Sequence, residues 1–274
     1  MAEIKIIDDK EYVVIEDKEY PVEEEPVNKR KCYVIDNIYY DIKTHLVAGS
    51  KSKLFPKLFM ARAMAKRAYE KKTRKTTNLP YEDHCTEVYR LCAHYKFSHG
   101  DDVMYAAAML HDYLEDAVAQ GKKREDTIQW MKSTLGYSVT TIVEELTSDE
   151  KGDNGLYPRK NENGDIIDYS LEKTDYINGR LTRMGSKALF IKLLDMLSNL
   201  GESETMPDFV TRIRDNILFI EKNKDTTFKD TITLDHLLVI ENISRLLIDI
   251  YKEHEPYQYY MELEKDDLEH QVVE

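Results

Sequence analysis

Within the stretch AAAMLHDYLEDAV, from Ala106 to Val118, His111, Asp112, Glu115 and Asp116 interrupt an otherwise apolar helical pattern. At 3.6 residues per turn, His111 lies one turn before Glu115 and Asp112 one turn before Asp116. His111 also continues the apolar stripe of Val103, Ala107 and Leu110, which turns its imidazole inward. Burying such a group of acids without a counter-charge is costly, and a divalent cation would remove that cost. A cation of that kind polarises a phosphoryl oxygen and acidifies water, while a nearby carboxylate takes the proton. A His-Asp pair alone is no signature, because a satisfied core histidine beside solvated acids reads the same way.

Two distant segments add to it. NLPYEDHCTEV places His84 at the start of a helix with the apolar face Val88, Leu91 and Cys92. FIKLLDMLSNL places Asp195 and Asn199 one turn apart, with Lys192 on the same side. Asp195 sits among Leu193, Leu194, Met196 and Leu197, so its carboxylate again calls for a partner. Together His84, His111, Asp112 and Asp195 form a mixed nitrogen and oxygen donor set, suited to Mn²⁺, Fe²⁺ or Zn²⁺ more than to Ca²⁺ or Mg²⁺.

The elements that must position these residues are mostly helical. Apolar residues recur at helical spacing through Ala61, Met64, Ala65, Ala68 and Tyr69, and again through Val139, Ile142, Val143 and Leu146. Further stripes run through Leu189, Leu193, Met196, Leu197 and Leu200, through Phe209, Ile213, Ile217 and Ile220, and through Leu234, Leu238, Ile243, Leu247 and Ile250. Residues 1–50 differ: Ile, Val and Tyr alternate between short Asp-Lys, Asp-Asn and Gly-Ser interruptions, the pattern of a small β-meander. Between Leu146 and Ser186 the pattern lapses, and Glu162, Asn163, Gly164 and Asp165 form a candidate hairpin turn within a long loop. The expected architecture is mainly α, a helical bundle over 51–254 with the β-rich segment before it and a tail or helix over 255–274.

A formal net charge of -13 argues against a broad nucleic-acid interface, which needs a basic face. Cys32, Cys85 and Cys92 lack framework spacing and read as core thiols of a reducing cytosol. No apolar run approaches the ~20 residues of a membrane helix, and MAEIKIIDDKEY lacks the basic start and apolar stretch of a signal peptide. A cytoplasmic protein without membrane or nucleic-acid partners is expected, with homo-oligomerisation left open.

Taken in order, PYEDH, AAAMLHDYLEDA, VEELTSDEK and LFIKLLDMLSNL resemble the H, HD, ED and D-x-x-x-N motifs of HD-domain hydrolases of the RelA/SpoT type. That group includes small alarmone hydrolases and metazoan SpoT homologues. The resemblance spans roughly 54–201 and implies an HD-domain helical bundle that releases 3′-pyrophosphate from (p)ppGpp. It implies that His84, His111, Asp112 and Asp195 hold one Mn²⁺ and that Glu115 and Asp116 position or deprotonate the attacking water. Arg74 and Lys75 match the family's basic pair before Gly-x-Pro-Tyr and would meet phosphate or stack near the nucleotide. Asn199 would contact ribose or base, and Lys192 joins this substrate-binding set.

The chain departs from the family where YEKKT precedes the basic pair and where TTNLPY lacks the turn glycine. These changes touch nucleotide recognition more than the metal. Two alternatives therefore stand beside (p)ppGpp hydrolysis: an NADPH 2′-phosphatase or other nucleotide phosphohydrolase, and a non-catalytic nucleotide sensor. Both water-activating acids speak against the sensor.

Overall fold

The computed structural model describes residues 3–7, 10–15, 18–24, 31–35, 38–41, 47–50, 55–74, 78–161, 164–201 and 207–253. The chain divides into two compact units. The first comprises Met1–Thr73, Pro80–His94 and Ser98–Thr147; the second comprises Arg74–Leu79, Tyr95–Phe97 and Ser148–Glu274. The expected tail over 255–274 lies outside the described residues.

In the first unit, the alternating N-terminal segment folds as the expected meander: a 6-stranded antiparallel sheet in sequential order. Its strands are β1 (Glu3–Ile7), β2 (Lys10–Ile15), β3 (Lys18–Glu24), β4 (Lys31–Ile35), β5 (Ile38–Asp41) and β6 (Val47–Ser50). Register pairs Val13 with Tyr20 and Tyr33 with Tyr40. The rings of Tyr33 and Tyr40 stack at 5.3 Å, a cross-strand aromatic contact of the kind that pins register. Arg67 of helix α1 (Pro56–Tyr69) lies 5.2 Å over the Tyr40 ring.

The unit's remaining helices are α2 (Tyr81–His94), α3 (Asp102–Met109), α4 (Tyr113–Ala119), α5 (Arg124–Leu135) and α6 (Tyr137–Leu146). Their ends are tied by side chains from neighbouring helices. Helix α1 opens with Pro at its first position, and the Asp102 carboxylate accepts from the main-chain N–H groups of Lys57 and Leu58 at 3.0 and 2.9 Å. That acid satisfies donors which a helix start leaves open. Lys57 Nζ in turn donates to the Leu135 carbonyl at 2.7 Å, at the end of α5. The inward faces of α1 and α3 are built from Ala61, Ala65, Ala106, Ala107 and Ala108, all without exposure. Side chains of that size let two helix backbones approach closely, which is how α3 comes to lie along α1.

The second unit holds a hairpin, β7 (Tyr157–Lys160) with β8 (Ile166–Leu171), and helices α7 (Lys173–Leu181), α8 (Ser186–Leu200), α9 (Pro207–Asn223) and α10 (Leu234–Glu253). The hairpin flanks the predicted turn, where Gly164 takes φ 88. Helix α7 lies in the stretch the sequence reads as loop; its buried residues Tyr176, Arg180 and Leu181 give only two apolar positions, too few for periodicity to register. In α10 the stripe is phased differently from the expectation. Leu234 and Leu238 are exposed, while Val239, Ile240, Ile243, Leu247 and Ile250 are buried. Leucines line the exposed side of the first turns while Val239 and Ile240 line the buried side, so apolar residues on both sides leave periodicity alone unable to choose between them. No helix among the described residues is long and apolar enough to cross a membrane.

At the centre of this unit, Phe97, Phe190 and His236 meet edge to face, with centroids 5.0–5.1 Å apart. His236 is fully buried. Its Nδ1 accepts from the Thr233 N–H at 3.2 Å, which leaves the proton on Nε2 to donate to the Ser186 carbonyl at 2.9 Å. Burial lowers the His236 pKa from 6.5, against a smaller opposing pull from the Ser186 carbonyl and Asp235. The folded chain therefore binds fewer protons here than the unfolded chain. The stability His236 contributes is complete above the unfolded pKa and is lost as pH falls below it. Chemical denaturation followed from pH ~7.5 to ~5.5 should show a declining midpoint, and His236→Gln should flatten that decline. An identical pH dependence in the variant would remove His236 as its source.

Candidate functional site

Pro80 fixes the entry to α2, and Tyr81, the helix's first residue, is followed one turn later by His84. His84 is buried with Cys85, Val88 and Cys92 on the inward face. Burial pushes the Cys85 thiol up to about 12, so it is a protonated core residue rather than a nucleophile.

The segment around His111 is not the continuous helix expected from its periodicity. Helix α3 begins with Asp101, whose carboxylate accepts from Val103 N–H and Met104 N–H at 3.0 and 3.1 Å. It ends at Met109. Leu110 leaves helical geometry at φ -116, the Tyr113 N–H bonds to the Leu110 carbonyl at 2.9 Å, and α4 starts at Tyr113. His111 and Asp112 occupy this break. Both flanks carry apolar residues at helical spacing, so the interruption left no mark on the pattern.

The break settles the chemistry of His111. Its Nδ1 lies 2.9 Å from the Ala108 carbonyl. A carbonyl only accepts, so Nδ1 carries a proton and Nε2 is the ring nitrogen left to face the neighbouring side chains. Nε2 lies 3.2 Å from Asp112 Oδ2, and the His84 and His111 rings meet edge-on with centroids 5.1 Å apart. Asp112 also accepts a short hydrogen bond from the Tyr81 hydroxyl. Two imidazoles, one with its tautomer fixed by a main-chain carbonyl, and a carboxylate oriented by a phenol are a donor set that fits a divalent transition metal.

Glu115 and Asp116 follow on the first turn of α4, Glu115 exposed and Asp116 half-buried. Lys72 Nζ reaches both Asp116 oxygens at 2.6 Å and lies 3.6 Å over the Tyr81 ring. Desolvation raises the Asp116 pKa, and the Lys72 ammonium works against it. Neither Lys72 nor Tyr81 stands out in the sequence as a site residue. Lys72 belongs to a basic run, and only its neighbours in space distinguish it from Lys71.

In the second unit, Arg74, Lys192, Asp195 and Asn199 form one chain of contacts. Arg74 Nη2 donates to Asn199 Oδ1 at 2.6 Å, Asn199 Nδ2 donates to Asp195 Oδ1 at 2.7 Å, and Lys192 Nζ donates to Asp195 Oδ2 at 2.7 Å. The helical spacing of 192, 195 and 199 on α8 produces this alignment. Asp195 is buried, which makes the surrounding donors its counter-charge.

Arg74 is presented by a turn whose N–H bonds to the Leu79 carbonyl at 2.9 Å while Asn78 N–H bonds to the Arg74 carbonyl at 3.0 Å. Asn78 takes φ 57, the left-handed region. It occupies the place of the glycine that the motif resemblance leads one to expect, and asparagine is among the few other residues that adopt this conformation readily. The departure therefore preserves the turn. Lys75 lies outside the described residues.

Residues 61–163 match the family described as HD domain. That stretch includes the helices that bring His84, His111 and Asp112 together, and the match ends before Asp195. A solved structure of a metazoan ortholog of SpoT, described as hydrolysing ppGpp and playing a role in starvation responses, is 19% identical. The alignment covers 75% of this chain and 98% of that one, with a TM-score of 0.46. Curated proteins give no match.

Lys72→Met tests the electrostatics of this site. With the ammonium gone, the Asp116 carboxyl should titrate at higher pH in carbon-13 NMR of the metal-free protein. An unmoved titration would show that Lys72 does not govern it.

Proposed function

We infer that this chain is a divalent-metal phosphohydrolase of nucleotides, with the 3′-pyrophosphate of (p)ppGpp as its substrate. His84, His111, Asp112 and Asp195 are the ligands of one ion, Mn²⁺ first, with Fe²⁺ or Zn²⁺ able to use the same donors. The observation that carries the reading is that the His84 and His111 rings meet edge-on beside the break between α3 and α4, with centroids 5.1 Å apart. Asp112 joins them as the neighbour of His111, held by the Tyr81 hydroxyl.

When bound, a divalent ion supplies Lewis-acid polarisation of the phosphoryl group and acidifies water. The protein's own part is proton handling and positioning. Asp116, paired with the Lys72 ammonium, accepts the proton of the attacking water as the bond from phosphorus to the ribose 3′-oxygen breaks, and that oxygen takes a proton from solvent to leave as the 3′-hydroxyl. Glu115, one residue earlier on α4, shares this task of orienting the water. Arg74, Lys75 and Lys192 offset negative charge on the pyrophosphate, and Asn199 contacts the nucleoside. The choice of (p)ppGpp rests on the order of the sequence motifs from PYEDH to LFIKLLDMLSNL.

A Mn²⁺-loaded assay over ppGpp, pppGpp, NADPH and nucleoside monophosphates separates the readings. Pyrophosphate from ppGpp is expected. Orthophosphate from NADPH or a monophosphate would transfer the site to another substrate, and tight binding without product would make the chain a sensor. Asp195→Ala should lose bound metal, whereas Glu115→Ala should keep the metal and lose turnover by roughly 10²–10⁴-fold. Full activity in both variants would end the assignment.

A further inference from the structure

Away from these residues, α4 and α5 enclose a pocket of about 370 Å³ lined by Tyr113, Lys122, Lys123, Asp126, Thr127 and Trp130. Its construction follows from the connection between the two helices. Helix α4 ends at Ala119, and Gly121 takes φ 83, which a side chain would resist. Lys122 N–H then bonds back to the Ala117 carbonyl at 3.0 Å, so the chain reverses within three residues and α5 runs back beside α4. Lys122 and Lys123 are placed at the rim by that reversal. The floor is aromatic: Tyr113 from α4 and Trp130 from α5 lie with centroids 6.1 Å apart and planes 30° from parallel.

The lining has a definite chemical character. Two aromatic faces offer stacking to a planar ring. Two exposed ammonium groups stand at the mouth with one carboxylate, so the local charge is positive on a chain whose net charge is -13. Asp126 is an acceptor for ring N–H and amino groups. The Thr127 hydroxyl is committed to the Lys123 carbonyl at 2.9 Å and serves the wall rather than a ligand. Burial pushes the Tyr113 phenol up to about 12, which keeps it a neutral donor at physiological pH. The volume falls within the range of small-molecule sites. A planar, hydrogen-bond-donating ring carrying an anionic substituent meets every one of these groups at once.

We propose that the α4–α5 pocket is a second ligand site, distinct from the metal-binding residues, that takes a purine nucleoside phosphate: the base stacks on Trp130 and Tyr113 with its N–H donors on Asp126, and the phosphate meets Lys122 and Lys123. The site consists of residues 113–130 alone and does not depend on the reading of the metal residues. Because Tyr113 opens the same short helix that bears Glu115 and Asp116, an occupant touches the element that carries both acids.

Trp130 is the chain's sole tryptophan, so its emission reports on this pocket directly. The full-length protein, kept metal-free with a chelator, is titrated with GMP, with guanosine and with inorganic phosphate. Saturable quenching by GMP is expected, with a weaker response to guanosine and none to phosphate. The double variant Lys122→Glu, Lys123→Glu should weaken GMP binding about tenfold or more and leave guanosine unchanged. An unaltered Trp130 spectrum before titration shows that the variant's pocket is intact, and calorimetry on Trp130→Ala, expected to show one GMP site fewer than the parent protein, gives a readout independent of fluorescence. Non-saturating quenching, equal GMP affinity in the double variant, or full calorimetric binding to Trp130→Ala would each overturn the proposal.

Discussion

The hydrogen bond from His111 Nδ1–H to the Ala108 carbonyl is the small contact on which the site chemistry rests. It exists because α3 stops at Met109 and frees the chain at residues 110–112 to turn the imidazole back over the last helical turn. With Nδ1 committed to that carbonyl, Nε2 is left facing the Asp112 carboxylate, and the ring meets that of His84. A continuous helix would have presented His111 without this constraint, and either tautomer would have been available. The same break makes Asp112 the residue that precedes α4, so the acids at positions 115 and 116 fall in that helix's first turn, where negative charge is favoured by the open N–H groups.

Charged groups in each unit are managed pairwise. Asp116 has Lys72, and Asp195 has Lys192 and the Asn199 amide, which in turn accepts from Arg74. Each acid is partly or wholly removed from water, and each accepts from a lysine ammonium 2.6–2.7 Å away. Such pairing costs desolvation and side-chain freedom without guaranteeing stability. Its benefit lies in geometry: carboxylates with fixed orientation and known charge are what proton transfer and cation binding require. The sheet, the alanine-lined contact of α1 with α3, the capping of α1 by Asp102 and that of α5 by Lys57 supply rigidity to the first unit.

Much of this was legible in the residues. The alternation over the first fifty residues indicated a meander, and helical stripes located most of α1 through α10, because burial of one face imposes a period that side-chain type records. The candidate ligands and acids were legible because carboxylates and imidazoles embedded among leucines and alanines are improbable without a role. Helix α7 was missed because two buried apolar residues carry too little periodicity, and the α10 stripe was misphased because leucines sit on both of its faces. The break at His111 was invisible, since apolar spacing continues across it. Lys72 was hidden in a run of like residues, for nothing in a basic stretch distinguishes the one lysine that meets a carboxylate.

The amino-acid order by itself determined the class of most elements, the candidates for metal ligation and proton transfer, and the turn at Asn78, whose side chain tolerates a left-handed backbone where glycine was expected. These are local matters, set by how one residue's chemistry and conformational freedom meet its near neighbours. Which lysine holds Asp116, and that Tyr113 and Trp130 line one pocket, were decided only by tertiary structure. Each depends on a contact between groups whose separation along the chain says nothing about their distance in space.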